Sequence, residues 1–324
     1  MAEPRISYDA LAAFAAFADT LNLTKAAAAL HISQPSLHAK IGTLSRELDR
    51  PLYVKVGRRL VLTPDGELVA RFAREQSDRI GRLLDELQQT PTSRPIVLAA
   101  GHAAYLHVLG DVIRSALADR PGYLRLLHTN RNEMLDAVRA GRAHLGVSVL
   151  DVLPDDLISF PVATYPQVVL VPQGHRLARR RTVTLKDLAG EELVVPPANR
   201  PHRISLERAM RAAGVPLVVG VEIEGWPLTV HYAALGLGLA VVTGCVIPAP
   251  GLVARPVTDL PEVTYHAAHH RDARDDPRVA ALLNAIRATH KPTRRRPRQT
   301  ASTAQAGGPV SSTAPTPRPT SRAG

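Results

Sequence analysis

Between residues 24 and 48 the chain encodes two short helices around a turn, and the second fixes its own orientation. Leu37, Ile41, Leu44 and Leu48 recur at steps of four, three and four, the spacing of one buried helix face. Ser33 precedes this helix as a cap whose hydroxyl accepts a free backbone amide. Pro35 falls in the first turn, where its missing N–H leaves no bond unmade, and Pro51 stops the helix. Upstream, Thr24 is placed to cap a nearly all-alanine helix over Lys25 to Leu30, with His31-Ile32 as the turn. Residues 8–20 form a first helix on Leu11, Phe14 and Phe17, with Leu21 continuing the face. Downstream, Leu52-Tyr53-Val54 and Leu60-Val61-Leu62 flank Lys55 to Arg59, with Gly57 permitting a tight hairpin turn.

Two short helices followed by a basic hairpin suit the major groove of double-stranded DNA, which admits a helix and displays distinct base edges. The face left outward on the second helix holds Gln34, Ser36, His38, Lys40, Thr43 and Arg46. The alternative is a small helical subdomain with a solvated charged face.

Charge supports the first reading only locally. The formal net charge is +11, but residues 291–324 hold seven basic residues and no acid. Residues 20–60 carry Lys25, Lys40, Arg46, Arg50, Lys55, Arg58 and Arg59 against Glu47 and Asp49. That is a basic footprint on one small module. The tail from residue 291 is rich in Pro, Thr, Ser and Arg, so it is expected to be disordered. It either adds nonspecific DNA affinity or is an unselected extension.

Thr63-Pro64 opens a long helix expected to run to about Gln89. Val69, Ala73, Gln76, Ile80, Leu83 and Leu87 give it a heptad seam. The seam serves either packing within the module or a second copy of the chain, and its length favours the second copy. After a Pro-rich hinge at residues 91–95, strands alternate with helices. Strands are expected at 96–100, 123–128, 145–149, 167–171, 192–195, 216–222, 239–243 and 265–269, implying a mostly parallel sheet with helices on both faces. Helices are expected from 101 to about 120 and at 131–140, 205–213, 228–235 and 277–288. No run of about 18 apolar residues is present, so no membrane span is expected. With no signal-peptide pattern and the single cysteine Cys245, the expected location is cytoplasmic.

The stretch Asn22 to Leu37, reading NLTKAAAALHISQPSL, then Leu48, Leu52-Tyr53, Gly57-Arg58-Arg59, Leu62-Thr63 and Gly66, resembles the N-terminal domain of LysR-type transcriptional regulators. His175-Arg176-Leu177-Ala178, Leu185 to Gly190 and Gly236 to Ala240 resemble landmarks further along that family. The resemblance covers roughly residues 6 to 288. It implies an α/β architecture: a winged helix-turn-helix at 6–63, a dimerisation linker helix at 64–90, and a two-lobed periplasmic-binding-protein-like effector domain at 95–290. The first lobe would hold about 95–163 and 265–290, the second about 164–264, with the tail at 291–324. The candidate DNA-binding residues are Thr24, Lys25, Ser33, Gln34, Pro35, Ser36, His38, Lys40, Lys55, Arg58 and Arg59. Where the family carries Ser-Arg-Gln, this chain has His38-Ala39-Lys40. A lysine is a point charge rather than a bidentate fork, so an altered operator preference is expected.

A two-lobed α/β domain binds ligands between its lobes, at strand carboxyl ends and helix N-termini. The resemblance implies a small organic effector there. Candidate contacts are His102, Ala103, Ser148, Asn199, Arg200, His202, Trp226 and Thr243. His102 is either a contact or an ordinary packed histidine, and Trp226 either core or pocket wall. Relatives often place a hydroxyl after the first strand, which His102-Ala103-Ala104 lacks; Arg200, His202 and Arg203 could supply charge instead. Cys245 reads as an ordinary buried thiol. Gly236-Leu237-Gly238 lacks the remainder of a dinucleotide fingerprint. No catalytic set, metal ligand spacing or cofactor site is legible, so the expectation is a regulator and not an enzyme, without a cofactor. Expected partners are DNA, the effector and further copies of the chain through the 64–90 helix and effector domains. RNA polymerase is a further candidate. A solute-binding protein and a cleft enzyme are the competing classes.

Overall fold

The computed structural model describes residues 6–87, 95–118, 124–274 and 276–290. Residues 91–94 of the expected 91–95 hinge, the tail, and the end of the long helix beyond Leu87 lie outside these residues, as do Tyr123 and the end of the helix expected to reach Arg120. The first element, α1 (Tyr8–Thr20), is capped by Ser7, whose side chain accepts from the amide of Ala10. Leu21 closes it in a left-handed conformation, which throws Asn22 into extended backbone. Asn22 then accepts from Lys25 N, and α2 (Leu23–Ala29) begins there. The expected Thr24 cap is thus corrected: asparagine is the stronger cap, and it stands two residues earlier. Thr24 instead donates its hydroxyl to Gln34 Oε1 at 3.0 Å.

The third helix, α3 (Gln34–Glu47), starts at the Ser33 cap with Pro35 in its first turn and buries Leu37, Ile41 and Leu44. With Phe14, Phe17, Ala26, Ala27 and Leu52 they form one core, while Leu48 is only partly covered. The hairpin pairs β1 (Tyr53–Val56) with β2 (Arg59–Leu62), with Gly57 at φ +62° in the turn. Thr63 then leads into α4 (Pro64–Leu87). A Cβ on Gly66 would sit 1.9 Å from the Leu52 carbonyl oxygen, so only glycine lets α4 start against this strand. The heptad seam divides. Ala70 and Ala73 are buried in the module core, with Val69 packed against it. Leu83 is 53% exposed and Leu87 71%.

The remainder builds two lobes. In chain order come β3 (Ile96–Ala100), a π turn at Ala104–Val108, α5 (Gly110–Ala118), β4 (Leu124–His128), α6 (Arg131–Arg139), β5 (Leu145–Val149) and β6 (Ile158–Tyr165). Then follow β7 (Gln167–Pro172), β8 (Glu192–Val195), α7 (Pro201–Ala212), β9 (Val218–Glu222), α8 (Trp226–Ala234), β10 (Ala240–Thr243) and β11 (Leu252–Pro256). The chain closes with β12 (Val263–His269) and α9 (Pro277–Thr289).

One sheet has the order β4-β3-β5-β12-β6, and the other lobe holds β10-β7-β11 and β8-β9. Only the β3-β4, β3-β5 and β8-β9 ladders between these strands are parallel; β12 and β7 pair antiparallel with their neighbours. The expected mostly parallel sheet is therefore mixed: the expected pairs β12-β5 and β10-β7 run antiparallel, and sequence reading also missed β6 and β11. Both are edge strands, where a proline such as Pro161 is tolerated and breaks the apolar run that would have revealed the strand. The chain leaves the first sheet between β6 and β7 and returns through β12. The two passages touch, with Thr164 and Thr264 hydroxyls 2.9 Å apart.

Each lobe has its own core. Ile96, Leu98, Leu145, Val147 and Ile286 anchor one. Val169, Leu193, Leu206, Met210 and Leu239 anchor the other. Trp226 and Cys245 pack against both the first lobe's core and a smaller cluster around Leu170 and Val242.

Candidate nucleic-acid interface and ligand cleft

The inward stripe of α3 turns its other face to solvent. Gln34, Pro35 and His38 are exposed, and Ser36 is half-covered. The Thr24–Gln34 bond ties the two helices of the motif at the start of α3 and holds the Gln34 amide oxygen. Lys25, Ser33, Lys55, Arg58 and Arg59 are also exposed. Lys55 lies on β1, Arg58 in the turn and Arg59 at the start of β2, so all three cations ride on the hairpin. Arg59 and Arg58 face the α1–α2 junction across a groove lined by Thr20 to Leu23 and Leu60. Lys40 stands apart. Its ammonium pairs with Asp9 on α1 at 3.1 Å and it is only partly exposed. Arg46 is at the far end of the helix, donating to the Thr43 hydroxyl at 2.9 Å.

The candidate effector residues come from both lobes. His102 follows the carboxyl end of β3, and His128 ends β4. Their ring nitrogens are 3.0 Å apart and their ring centroids 3.8 Å apart. Burial and the neighbouring His128 hold the His102 imidazole below its ordinary value, against a smaller opposing pull from Glu224. Ala103 is buried beside it. Tyr105 donates its hydroxyl to the Leu98 and Leu127 carbonyls at 2.6 and 3.0 Å. This pins the π turn onto the β3 and β4 ends, and burial pushes the phenol up to about 12.

From the other lobe, Gly225 faces His102, such that a Cβ added there would lie 4.0 Å from His102 Nδ1. On either side of Gly225, Glu224 pairs with Arg200 and Trp226 meets the His202 ring edge-on, centroids 4.8 Å apart. His202 Nε2 lies 2.8 Å from the Val241 carbonyl oxygen and so carries the proton. Burial lowers its pKa, leaving the ring neutral at neutral pH.

Four of the expected contacts thus gather around residues 224–226: His102, Arg200, His202 and Trp226. Asn199 is exposed just ahead of Arg200. Ser148 lies on β5 opposite His266. Thr243 is buried where the chain passes between lobes, bonded to Tyr265. Cys245 also reaches the Tyr265 hydroxyl, at 3.8 Å, and burial pushes its thiol up. Arg203 is not a ligand contact. It is 7% exposed, and its guanidinium serves Glu207, Glu222 and the Pro196 carbonyl.

Sequence reading missed His128, Thr129 and Glu224. The available signal was position: His128 ends a parallel strand and Thr129 follows it, beside the strand that His102 follows, which is where such folds place ligands. Thr129 is buried, and its hydroxyl has no partner among the described residues. Among those residues no cluster of three or more His, Cys, Asp or Glu is arranged to hold a metal, and no helix is long and apolar enough to cross a membrane.

Comparison with known proteins agrees with this layout. Residues 8–67 match the bacterial regulatory helix-turn-helix protein model of the lysR family, and residues 89–291 match the LysR substrate binding domain. Regulatory protein NocR of Agrobacterium fabrum is 29% identical over 291 residues, spanning 86% of this chain and 96% of its own length. The HTH-type transcriptional regulator SsuR of Burkholderia cenocepacia is 28% identical over 230 residues, 68% of this chain and 74% of its own. Full-length OxyR from Pseudomonas aeruginosa shares the fold at a TM-score of 0.71 and 20% identity, over 91% of this chain and all of that one. CbnR in complex with its target DNA superposes at 0.57 and 19% identity, covering 87% and 99%. With two family models spanning nearly all of residues 8–291, the chain belongs to the LysR family of transcriptional regulators, DNA-binding proteins with an effector-binding domain rather than enzymes.

Proposed function

We propose that this chain reads an operator with α3 and holds the flanking backbone with its hairpin, under control of a small organic molecule bound between the lobes. The observation that carries the DNA assignment is the division of α3: Leu37, Ile41 and Leu44 are buried while Gln34 and His38 are exposed. Gln34, Ser36 and His38 are the base-reading candidates, with Thr24 bracing Gln34. Ser33 and Pro35 set the start of the helix. Lys25, Lys55, Arg58 and Arg59 serve phosphates, which position a protein without reading sequence. Lys40 reaches DNA only by exchanging Asp9 for a phosphate. Its contribution is therefore smaller than its place on the helix suggests. The test is binding-site selection with the full chain and with His38→Ser plus Ala39→Arg. A changed consensus supports the assignment; identical consensus sequences overturn it.

The effector site is proposed at His102, Ala103, Thr129, Asn199, Arg200, His202 and Trp226, with Ser148 and Thr243 on its flanks. The unpartnered Thr129 hydroxyl supports this, because buried polar groups are nearly always bonded and a ligand atom would complete it. A metabolite thermal-shift screen tests the reading, since a ligand at 100 times its Kd stabilises the folded state by about 2.7 kcal/mol. A hit whose shift survives substitution of both His102 and Arg200 would place the site elsewhere. We further propose the partition into residues 6–63, 64–90 and 95–290. Self-association would run through the exposed Leu83, Leu84 and Leu87 of α4 and through the effector domains. A regulator held at a promoter meets RNA polymerase there, and the polymerase is included as a partner in this proposal.

A further inference from the structure

Far from the exposed end of α4, its middle is held to the first lobe by charge. Arg74 Nε and Nη2 donate to Asp19 of α1 at 3.0 and 2.6 Å, while its Nη1 donates to the Ala140 carbonyl just past α6. One guanidinium therefore joins the DNA-reading module, α4 and the first lobe, and it is only 14% exposed. One turn further along α4, Asp78 is 2.7 Å from His144 Nε2 and 3.8 Å from Arg278 Nη2. His144 Nδ1 accepts the Val97 amide at 3.0 Å, so the hydrogen-bond network places the imidazole proton on Nε2, toward Asp78. Arg278 also grips Asp276, and both are buried. A cavity of about 60 Å³ lies among these groups, lined in part by Arg71, Arg74, Asp78, His144 and Asp272.

The elements that carry these contacts have their other ends at the cleft. The N-cap of α6, Asn130, comes two residues after His128, and the helix finishes at Ala140. Strand β5 begins directly after His144 and leads to Ser148. A nine-residue helix spans about 14 Å and a five-residue strand about 16 Å. Both are stiff over that length, and α6 is further fixed by its capping box between Asn130 and Glu133. Charged pairs at their far ends suit a releasable joint. They are directional, and partly exposed pairs hold with modest net energy, whereas interdigitated apolar packing tolerates little change.

We propose that the Arg74 and Asp78 contacts form a polar clamp that couples the effector cleft to the DNA-reading module through α6 and β5. Rearrangement around His102 and His128 moves the far ends of these elements and loosens the clamp, freeing α4 and the module it carries. The inference rests on the cleft reading given above, and coupling of this kind is reciprocal. Releasing the clamp must therefore alter the cleft with no effector present. Trp226, the only tryptophan, packs against the first lobe's core and against the Leu170 and Val242 cluster of the other lobe, so it reports the cleft directly.

The test uses the full chain carrying Arg74→Ala and Asp78→Ala, read by hydrogen exchange and by acrylamide quenching of Trp226. Amide exchange across residues 70–81 is expected to rise at least tenfold, and the quenching constant to change about twofold, with circular dichroism retained. Unchanged exchange would show that these contacts do not dock α4, and raised exchange with unchanged quenching would show docking without coupling. Either result overturns the proposal. Arg139→Ala is the control: this residue is on α6 but pairs with Asp156 at the surface. A quenching change as large in that variant would mean general loosening of the lobe and would also overturn it. If the double variant unfolds, Asp78→Asn, which keeps the shape and loses the charge, carries the same measurements and outcomes. No effector is used, so a negative result here is distinct from a failed ligand screen.

Discussion

The outward face of α3 and the wall of the cleft use similar polar residues in opposite ways. On α2, α3 and the hairpin, Lys25, His38, Lys55, Arg58 and Arg59 are exposed. In the cleft, Arg200 is paired with Glu224, His202 with the Val241 carbonyl and His102 with His128. A DNA surface finds its counter-charges on the partner, so leaving cations open costs little and gains the release of counterions on binding. A small-molecule site must hold its groups at fixed positions before the ligand arrives, and internal partners do that. The first surface is built by one contiguous stretch of about forty residues. The second is assembled from segments a hundred residues apart.

The largest test of that contrast is Gly66→Ala. The added methyl cannot avoid the Leu52 carbonyl, so the module should lose on the order of 3–5 kcal/mol, the range of severe single substitutions. Calorimetry should show its transition lowered while the lobes melt as before. Equal loss in both transitions would mean that the module and lobes fold as one cooperative block.

Next comes the pair Arg203→Met and Arg200→Met. Removing Arg203 leaves the partly exposed Glu207 and the Pro196 carbonyl without their donor and should cost about 1–3 kcal/mol. Removing the partly exposed Arg200 should change stability by under about 1 kcal/mol and weaken effector binding instead. Urea titration of both proteins separates them, and equal losses would erase the distinction between scaffold and ligand contact.

A smaller effect is expected from Arg58→Ala with Arg59→Ala. Loss of two phosphate contacts should flatten the slope of log affinity against log salt by roughly 1.8, at about 0.9 per contact. Anisotropy titrations at several salt concentrations, on operator and on unrelated DNA, measure it. A loss confined to the operator would make these arginines base readers.

The smallest effect concerns pH. Burial lowers the His202 pKa, so the folded state resists its protonation. Its stabilising share is intact above about 6.5, the unfolded value, and is lost as pH falls through the lowered folded value. Between pH 7 and pH 5 the melting temperature should therefore fall less steeply in His202→Gln than in the parent. Parallel curves would mean that His202 titrates as it does in the unfolded chain.

These contrasts also explain what could be read in advance. The α3 stripe, its Ser33 cap and the Gly57 turn are local, so spacing and residue type were enough. Asn22 taking the cap from Thr24 depended on Leu21 adopting a left-handed conformation, which apolar spacing does not reveal. β6 and β11 were hidden because edge strands need no continuous apolar run. At the proposed cleft, His102, Arg200, His202 and Trp226 were singled out as types near strand and helix ends, and the fold gathers them around residues 224–226. Their neighbours Glu224 and His128 were not, since pairing across lobes is set by tertiary contact. Arg203 illustrates the same limit: a cation beside a helix start looked available, and only the fold reveals that it is fully engaged by Glu207, Glu222 and Pro196.

The two passages between lobes lie side by side, with Thr164 of β6 against Thr264 of β12. Everything from β7 to β11 therefore leaves and re-enters the first lobe at almost one point. Such a stretch is topologically an insertion, and insertions with adjacent ends are readily exchanged between proteins. Half of the proposed effector wall, including Arg200, His202 and Trp226, could thus be traded as a cassette. The DNA-reading helix and its joint to the first lobe would stay untouched, so a new ligand specificity could be installed while the operator preference is kept.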